Sequence, residues 1–158
     1  MTAVLQIEGP FTLGDRSAVF AHVNAVMAAL KSSGIVPRDR SPVSAFSEVV
    51  YASGLASPAA FVVFYEIDLH DDPARQLRRM IWIDLVHTAP AARRRGYATA
   101  LIGEVLRVAA RRGVSRVEFG TGIDNVAMRR TGEKAGFITQ SVVLAAAVPT
   151  VRHAGVAS

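Results

Sequence analysis

Hydrophobic positions recur along the chain with two different periods, one typical of helices and one of strands. A first helical stripe is formed by Val19, Phe20, Val23, Val26, Met27 and Leu30. A second stripe is formed by Leu101, Ile102, Val105, Leu106 and Ala109, and Gly113 follows it. The spacing of three and four residues predicts an amphipathic helix in each segment. A third helix is predicted over 125–135, where Asp124 or Asn125 can cap its start and Gly136 can end it.

Runs of apolar, β-branched and aromatic residues predict strands between these helices. The predicted strands are 1–8, 46–52, 60–67, 77–88, 114–119 and 137–148. The run 60–67 is apolar almost throughout, which is typical of a central strand. In 77–88 strict alternation places Met80, Trp82, Asp84 and Val86 on one face and Ile81, Ile83, Leu85 and His87 on the other.

The order of these elements predicts a single α/β (α+β) domain with a mixed sheet and flanking helices. The 158 residues correspond to one domain and suffice for an ordinary hydrophobic core. No internal repeat or linker divides the chain. We expect the domain to span 1–148 and the last ten residues, 149–158, to fray because they hold a proline and small side chains.

The absence of cysteine excludes disulfides, thiolate catalysis and cysteine-ligated zinc. A reducing, cytoplasmic compartment is therefore expected. The sequence contains no apolar stretch long enough for a membrane-spanning helix, so no membrane partner is expected. Residues 1–11 lack the basic region followed by an apolar run that marks a signal peptide.

The positive charge of the chain is concentrated in one segment. The net charge is +5, and residues 93–130 hold nine arginines against three acidic residues. Such a basic field favours an anionic partner, although a solvated arginine-rich helix face is an equally good interpretation. Sixteen arginines against two lysines is typical of a GC-rich genome, so a bacterial source is expected. Nucleic acid is not expected, because exposed aromatic residues are not interleaved with these arginines.

The strongest chemical signal is the turn between the fourth predicted strand and the second helix, TAPAARRRGYAT, from Thr88 to Thr99. A helix start presents unpaired backbone amides and a positive dipole end, and both favour a phosphate group. Gly96 allows the backbone to approach a ligand closely. The segment matches neither the Walker loop nor the three-glycine dinucleotide pattern. A plain tight connection is the alternative interpretation.

Two motifs in this half of the chain resemble those of one family. The run Arg93-Arg94-Arg95-Gly96-Tyr97-Ala98 resembles the Arg/Gln-x-x-Gly-x-Gly/Ala signature of the GNAT superfamily of N-acetyltransferases (the Gcn5-related acetyltransferases). Asn125, followed by a helix that closes on Glu133-Lys134-Ala135-Gly136-Phe137, resembles a second signature of the same family. The specific resemblance covers residues 81–137. The N-terminal half agrees only in the order of its elements.

The resemblance implies a metal-free transfer of an acetyl group from acetyl-CoA to a small-molecule or peptide amine, by a chain that could also form a homodimer. It implies a mostly antiparallel sheet that splays between the fourth strand and the strand over 114–119. Backbone amides of the turn would hold the pyrophosphate, and two strand residues would pair with the pantetheine. Asn125 would contact the pantetheine or cap its helix. The cofactor-binding residues so implied are Val86, Thr88, Arg93, Arg94, Arg95, Gly96, Tyr97, Ala98, Thr99 and Asn125.

The catalytic residues are less clear, because the chain departs from the family at one position. Many members carry a tyrosine seven residues after the asparagine, where it protonates the departing thiolate, and Gly132 stands there. The alternative function is therefore a CoA-binding module without transferase activity. Asp84 and His87 are the candidate bases, since a group near the thioester must take a proton from the amine. Tyr51, Tyr65 and Tyr97 remain open as proton donors.

Overall fold

Five strands in the described part of the chain form one sheet in which spatial order follows chain order. The computed structural model describes residues 6–12, 15, 17–36, 47–52, 58–69 and 79–141. The elements are β1 (Ile7–Thr12), α1 (Ser17–Ser32), β2 (Glu48–Ala52), β3 (Ala60–Asp68), β4 (Arg79–Thr88), a 3-10 turn (Pro90–Ala92), α2 (Tyr97–Arg111), β5 (Val117–Phe119) and α3 (Val126–Lys134). β1 pairs antiparallel with β2, β2 with β3, and β3 with β4, whereas β5 pairs parallel with β4. The predicted mixed sheet with flanking helices is confirmed.

The two faces of the sheet carry separate hydrophobic clusters. On one face α2 packs against the sheet through Leu101, Ile102, Val105, Val108 and Ala109, which meet Val50, Val62, Phe64, Ile81 and Ile83. On the other face α1 packs through Phe20, Val23 and Met27, which meet Val49, Phe61, Val63 and Leu85. β3 supplies residues to both clusters, which explains its continuous apolar run.

The three helices end in the same way, on a glycine with positive φ. In α3, Gly136 has φ +94°, its amide donates to the carbonyl of Glu133, and the amide of Phe137 donates to that of Gly132. These two bonds form a Schellman motif, in which the left-handed residue is nearly always glycine. The Glu-Lys-x-Gly-Phe run therefore encodes a helix stop. The predicted stop signals at Gly113 and Gly136 are confirmed.

Four charged residues anchor the end of α2 that lies away from the basic turn. Arg112 forms a bidentate pair with Glu48 at 2.6 Å and lies 3.6 Å from Glu66. Arg79 pairs with Glu66 at 2.8 Å and donates to the Arg112 carbonyl at 2.7 Å. Hydrogen bonding to Glu48 raises the pKa of Arg112. The cluster joins three strands to α2 and thereby anchors the C-terminal end of the helix.

Two predicted strands differ from the structure. The first strand was expected over 1–8; residues 1–5 lie outside the described residues, and the described strand runs from Ile7 to Thr12, continuing past Gly9 and Pro10 at the irregularity in its pairing with β2. The last strand was expected over 137–148, but residues 137–141 form neither helix nor strand. Its remaining residues and the predicted tail, 149–158, lie outside the described residues. Among the described residues no helix is long and apolar enough to cross a membrane.

Candidate active site

β4 contains a bulge that changes the face on which its later residues lie. Phe64 pairs with Ile83 and Val63 pairs with Leu85, so Asp84 is the extra residue of β4. Ile81 and Ile83 belong to the α2 cluster, whereas Leu85 belongs to the α1 cluster. The sequence-based prediction that Ile81, Ile83, Leu85 and His87 share one face is therefore wrong. Strict alternation ends at the bulge. Val86 therefore lies on the α2 face and His87 on the α1 face, the reverse of that prediction.

The same strand leaves part of its edge without a partner. β5 pairs with β4 only at Ile81, Trp82 and Ile83. The amide of Ala89 donates to the carbonyl of Ala59, on the β3 side. Because backbone groups alternate in direction along a strand, the amides and carbonyls of Val86 and Thr88 point to the opposite edge. In the described part of the chain no strand covers that edge beyond Ile83, so it can accept an extended ligand.

The open edge leads directly into the basic turn. Gly96 is the N-cap of α2 with φ +81°, and Arg94 is also left-handed at φ +62°. No side chain caps this helix start. Within the described residues, the amides from Arg94 to Thr99 donate to no backbone carbonyl. Consecutive amides in such a conformation form a concave anion site at the positive end of the helix dipole.

The arginines of the basic segment fall into two groups. Arg107 and Arg111 pair with Glu104, at 2.7 and 3.0 Å. Partial burial acts to raise the pKa of Glu104, but its hydrogen bonds to these arginines lower it overall. Arg116 pairs with Glu118. By contrast Arg93, Arg94 and Arg95 are all exposed, and in the described structure no carboxylate pairs with them. Within the described residues the unpaired positive charge therefore lies at the turn and also on α3, where Arg129 and Arg130 are exposed and have no carboxylate partner.

The side chain of Arg93 reaches back to the open edge of β4. Its Nε donates to the carbonyl of Thr88 at 3.3 Å. This carbonyl belongs to the edge that an extended ligand would pair with. A ligand that pairs with this carbonyl would therefore share it with Arg93 or displace that side chain. Tyr97, at the first position of α2, is half-buried and packs against the α2 cluster.

His87 lies on the α1 face, next to a buried aromatic ring. The centre of its imidazole is 5.2 Å from the ring centre of Phe61, and the imidazole centre of His22, on α1, is 6.0 Å from that same ring centre. Burial, the charge of Arg93 and the charge of His22 lower the pKa of His87. The imidazole is therefore neutral at pH 7 and able to accept a proton. Asp84, the other predicted base, is half-buried at the bulge.

Asn125 and Gly132 occupy opposite ends of α3. The Oδ1 of Asn125 accepts from the amide of Met128 at 3.1 Å, so the cap role is present. Gly132 is buried beneath the ring of Phe119. The Phe119 ring in turn contacts that of Phe137, with 5.0 Å between centres.

The family can be assigned from the sequence as a whole. The model of the acetyltransferase (GNAT) family matches residues 38–137. The chain belongs to this family. The matched region contains the bulge, the open edge, the turn and α3, so the geometry described above is that of a GNAT domain. No curated protein matches the chain.

Solved structures share the fold at low sequence identity. An aminoglycoside acetyltransferase from an uncultured soil metagenomic sample is 9% identical, with a TM-score of 0.69, and 94% of this chain and 98% of that one are covered. An aminoglycoside N-acetyltransferase in complex with CoA is 13% identical, with a TM-score of 0.64 and coverages of 92% and 99%. The ribosomal-protein-alanine N-acetyltransferase of Brucella melitensis biovar Abortus 2308 is 17% identical, with a TM-score of 0.65 and coverages of 91% and 100%. At these identities the likeness establishes the GNAT fold.

Three residues that contact the candidate site residues are not indicated by the sequence pattern: His22, Phe61 and Phe119. Phe61 and Phe119 lie in strand patterns that predict only core packing. His22 lies within the first helical stripe but is polar, and nothing local links it to residue 87. Each acquires its position by a contact between elements distant in sequence. Among the described residues no group of three or more potential metal ligands occurs.

Proposed function

We propose that the protein is an N-acetyltransferase that uses acetyl-CoA and acetylates an amine. The observation that carries this proposal is the continuity of the open β4 edge with the amide turn at the start of α2. A molecule with a diphosphate at one end and a peptide-like arm at the other matches that arrangement. CoA has both parts.

Each part of the site has a role in this proposal. The amides from Arg94 to Thr99 hold the diphosphate, and the exposed guanidinium groups of Arg93, Arg94 and Arg95 add charge. The backbone groups of Val86 and Thr88 bond the pantetheine arm as a further strand would. A β-carbon at Gly96 would meet no atom within 4 Å, so the space above the turn is open to a ligand.

Acetyl-CoA supplies an acetyl group activated as a thioester. The chain aligns that group with the acceptor, which is the main source of rate in such a transfer. His87 accepts a proton from the acceptor amine, because its imidazole is neutral at pH 7 and it lies one residue from each of the two pantetheine-binding residues. Gly132 cannot donate a proton to the departing thiolate, so that proton comes from water or from another side chain.

The names of the structural neighbours support only a broad class of acceptor. Two of the structural neighbours are named for aminoglycosides and one for an alanine of a ribosomal protein. Both classes present a primary amine, and we propose a small-molecule or peptide amine here. The lack of cysteine is compatible with a reducing cytoplasm, where acetyl-CoA is available.

The test combines binding with turnover. Wild-type protein is melted with and without millimolar CoA and acetyl-CoA, and release of free CoA thiol is followed with a panel of aminoglycosides, polyamines and N-terminal peptides. Stabilisation together with amine-dependent thiol release is the expected result. Stabilisation without release for any amine would favour the CoA-binding module. An unchanged melting temperature would refute the proposed cofactor.

A further inference from the structure

A second histidine, His22, lies close to the proposed proton acceptor but has no role in the function described so far. It is half-buried on α1 and meets the ring of Phe61 edge-on, with an angle of 83° between ring planes. Phe61 is fully buried, and the ring of His87 lies 5.2 Å from its centre. One buried aromatic ring therefore contacts two imidazoles that belong to different elements.

This arrangement depends on two features of the fold. Phe61 and His87 are cross-strand partners in β3 and β4, so their side chains share a face. The bulge at Asp84 places that face towards α1, where His22 lies. In a β4 that kept all its residues but alternated strictly, His87 would lie on the face of Ile81 and Ile83, towards α2, and would not meet Phe61.

We propose that His22 is a positioning residue for acetyl transfer: through its edge-on contact with Phe61 it holds the ring against which His87 packs. The proposal rests on the proposed function in one respect, namely that His87 accepts the proton of the acceptor amine. In that step the amine nitrogen forms its bond to the acetyl carbon and loses a proton to the imidazole, while the thioester bond breaks. His22 touches none of these atoms.

The other charged or titratable groups around His87 are few in the described residues. Arg93 lies on the turn after β4, and its charge also acts on His87. Tyr51 of β2 is the cross-strand neighbour of Phe61, and its hydroxyl donates to Glu8 of β1 at 2.8 Å. Asp84 lies on β4 itself. On α1, His22 is the group whose charge acts on His87.

The coupling can be measured without an acceptor. The imidazole resonances of His87 are assigned with a His87→Gln variant and titrated by NMR in wild type, His22→Gln and His22→Arg. A positive charge at residue 22 disfavours the imidazolium, so His22→Gln should raise the His87 midpoint and His22→Arg should lower it. Each shift should be on the order of a few tenths of a pH unit, as expected for two charges that contact the same aromatic ring in a partly solvated site. Ala28→Arg is the matched control, because it adds the same charge at an exposed position of α1.

A His87 midpoint that stays at its wild-type value in both folded His22 variants would overturn the proposal, as would shifts of the same sign. If His22→Gln does not fold, comparing the His87 midpoint in His22→Arg with that in Ala28→Arg is sufficient to decide the proposal. With an acceptor in hand, the acidic limb of kcat/KM should move with the NMR midpoint while the melting shift given by CoA stays unchanged. The titration is independent of turnover, so an inactive wild-type protein would refute the proposed function and leave the coupling measurable.

Discussion

Gly132 and Phe119 are matched to each other: a β-carbon on Gly132 would lie 2.6 Å from Cζ of Phe119 and 3.1 Å from its Cε1. Real β-carbons essentially never approach another heavy atom that closely, so the ring occupies its place only because residue 132 is glycine. The ring is also held from the other side by Phe137. The departure from the family tyrosine at this position is thus linked to the packing of β5 against α3.

This contact predicts the effect of a small substitution. In an ordinary helix interior, Gly→Ala stabilises by about 1 kcal/mol. Here the added methyl group would overpack against Phe119, so Gly132→Ala should instead lower the free energy of unfolding by about 1–3 kcal/mol in urea denaturation. Gly103→Ala in α2 is the control, because its β-carbon would come no closer than 3.9 Å to Arg107.

Replacing Phe119 by leucine should remove most of the penalty of Gly132→Ala, which a double-mutant cycle would show as a coupling energy. Equal stabilisation by Gly132→Ala and Gly103→Ala would mean that the ring moves aside freely.

A substitution at Gly96, in the turn, should weaken cofactor binding strongly while lowering stability only slightly. Gly96→Glu should cost about 1 kcal/mol of stability, because φ is +81° and a side chain is strained there. It should also abolish stabilisation by CoA, which for the wild type should reach about 2.7 kcal/mol at a hundredfold excess over Kd. The introduced carboxylate would lie at the proposed diphosphate site.

Gly113→Glu provides the matched control for that substitution, since Gly113 has φ +67° at the opposite end of the same helix. It should show a similar strain and an unchanged response to CoA in a thermal melt. A folded Gly96→Glu protein that CoA still stabilises would exclude the turn from the site.

Substitutions at Asn125 should distinguish its role as a helix cap from a contact with CoA. Asn125→Ala removes the acceptor of the Met128 amide and should lower the free energy of unfolding by about 1 kcal/mol. Asn125→Ser retains a capping oxygen and should restore most of that loss. If CoA affinity, measured by calorimetry, falls in Asn125→Ser while stability is kept, the amide also contacts the pantetheine. Equal CoA affinity in wild type and Asn125→Ser would leave the residue with the cap alone.

His87 predicts a pH dependence of both activity and stability. Its pKa in the folded protein is lowered from 6.5, mainly by burial. Activity that needs the neutral imidazole should therefore persist below pH 6.5 and decline only at the lower folded pKa. For stability, the unfolded chain takes up a proton near pH 6.5 that the folded chain resists, so stability is lost as pH falls below 6.5 towards the folded pKa.

Chemical denaturation of wild type and His87→Gln between pH 5 and 8 measures the contribution of His87 to the pH dependence of stability. The difference in unfolding free energy between the two proteins should be constant above pH 7 and change below pH 6.5, with the wild type losing relative stability. A difference that does not vary with pH would contradict the lowered pKa of His87.

The sequence by itself determined the features that depend on neighbours along the chain. Helices α2 and α3, the strands β3 and β4, the glycine stops and the turn between Thr88 and Thr99 all follow from periodicity, capping and backbone freedom, which act within a few residues. The two family motifs are of this local kind: one is a helix start with free amides, and the other is a helix stop.

The tertiary structure alone decided the features that require two distant segments. The bulge at Asp84 exists only in the pairing of β4 with β3, and strict alternation therefore gave the wrong face for His87. The open edge at Val86 and Thr88 arises because β5 ends its pairing at Ile83. The contact of Gly132 with Phe119 and the placement of His22 near His87 likewise depend on packing between elements. Local propensity cannot specify such contacts, because their energies come from the fit of surfaces that the chain brings together only on folding.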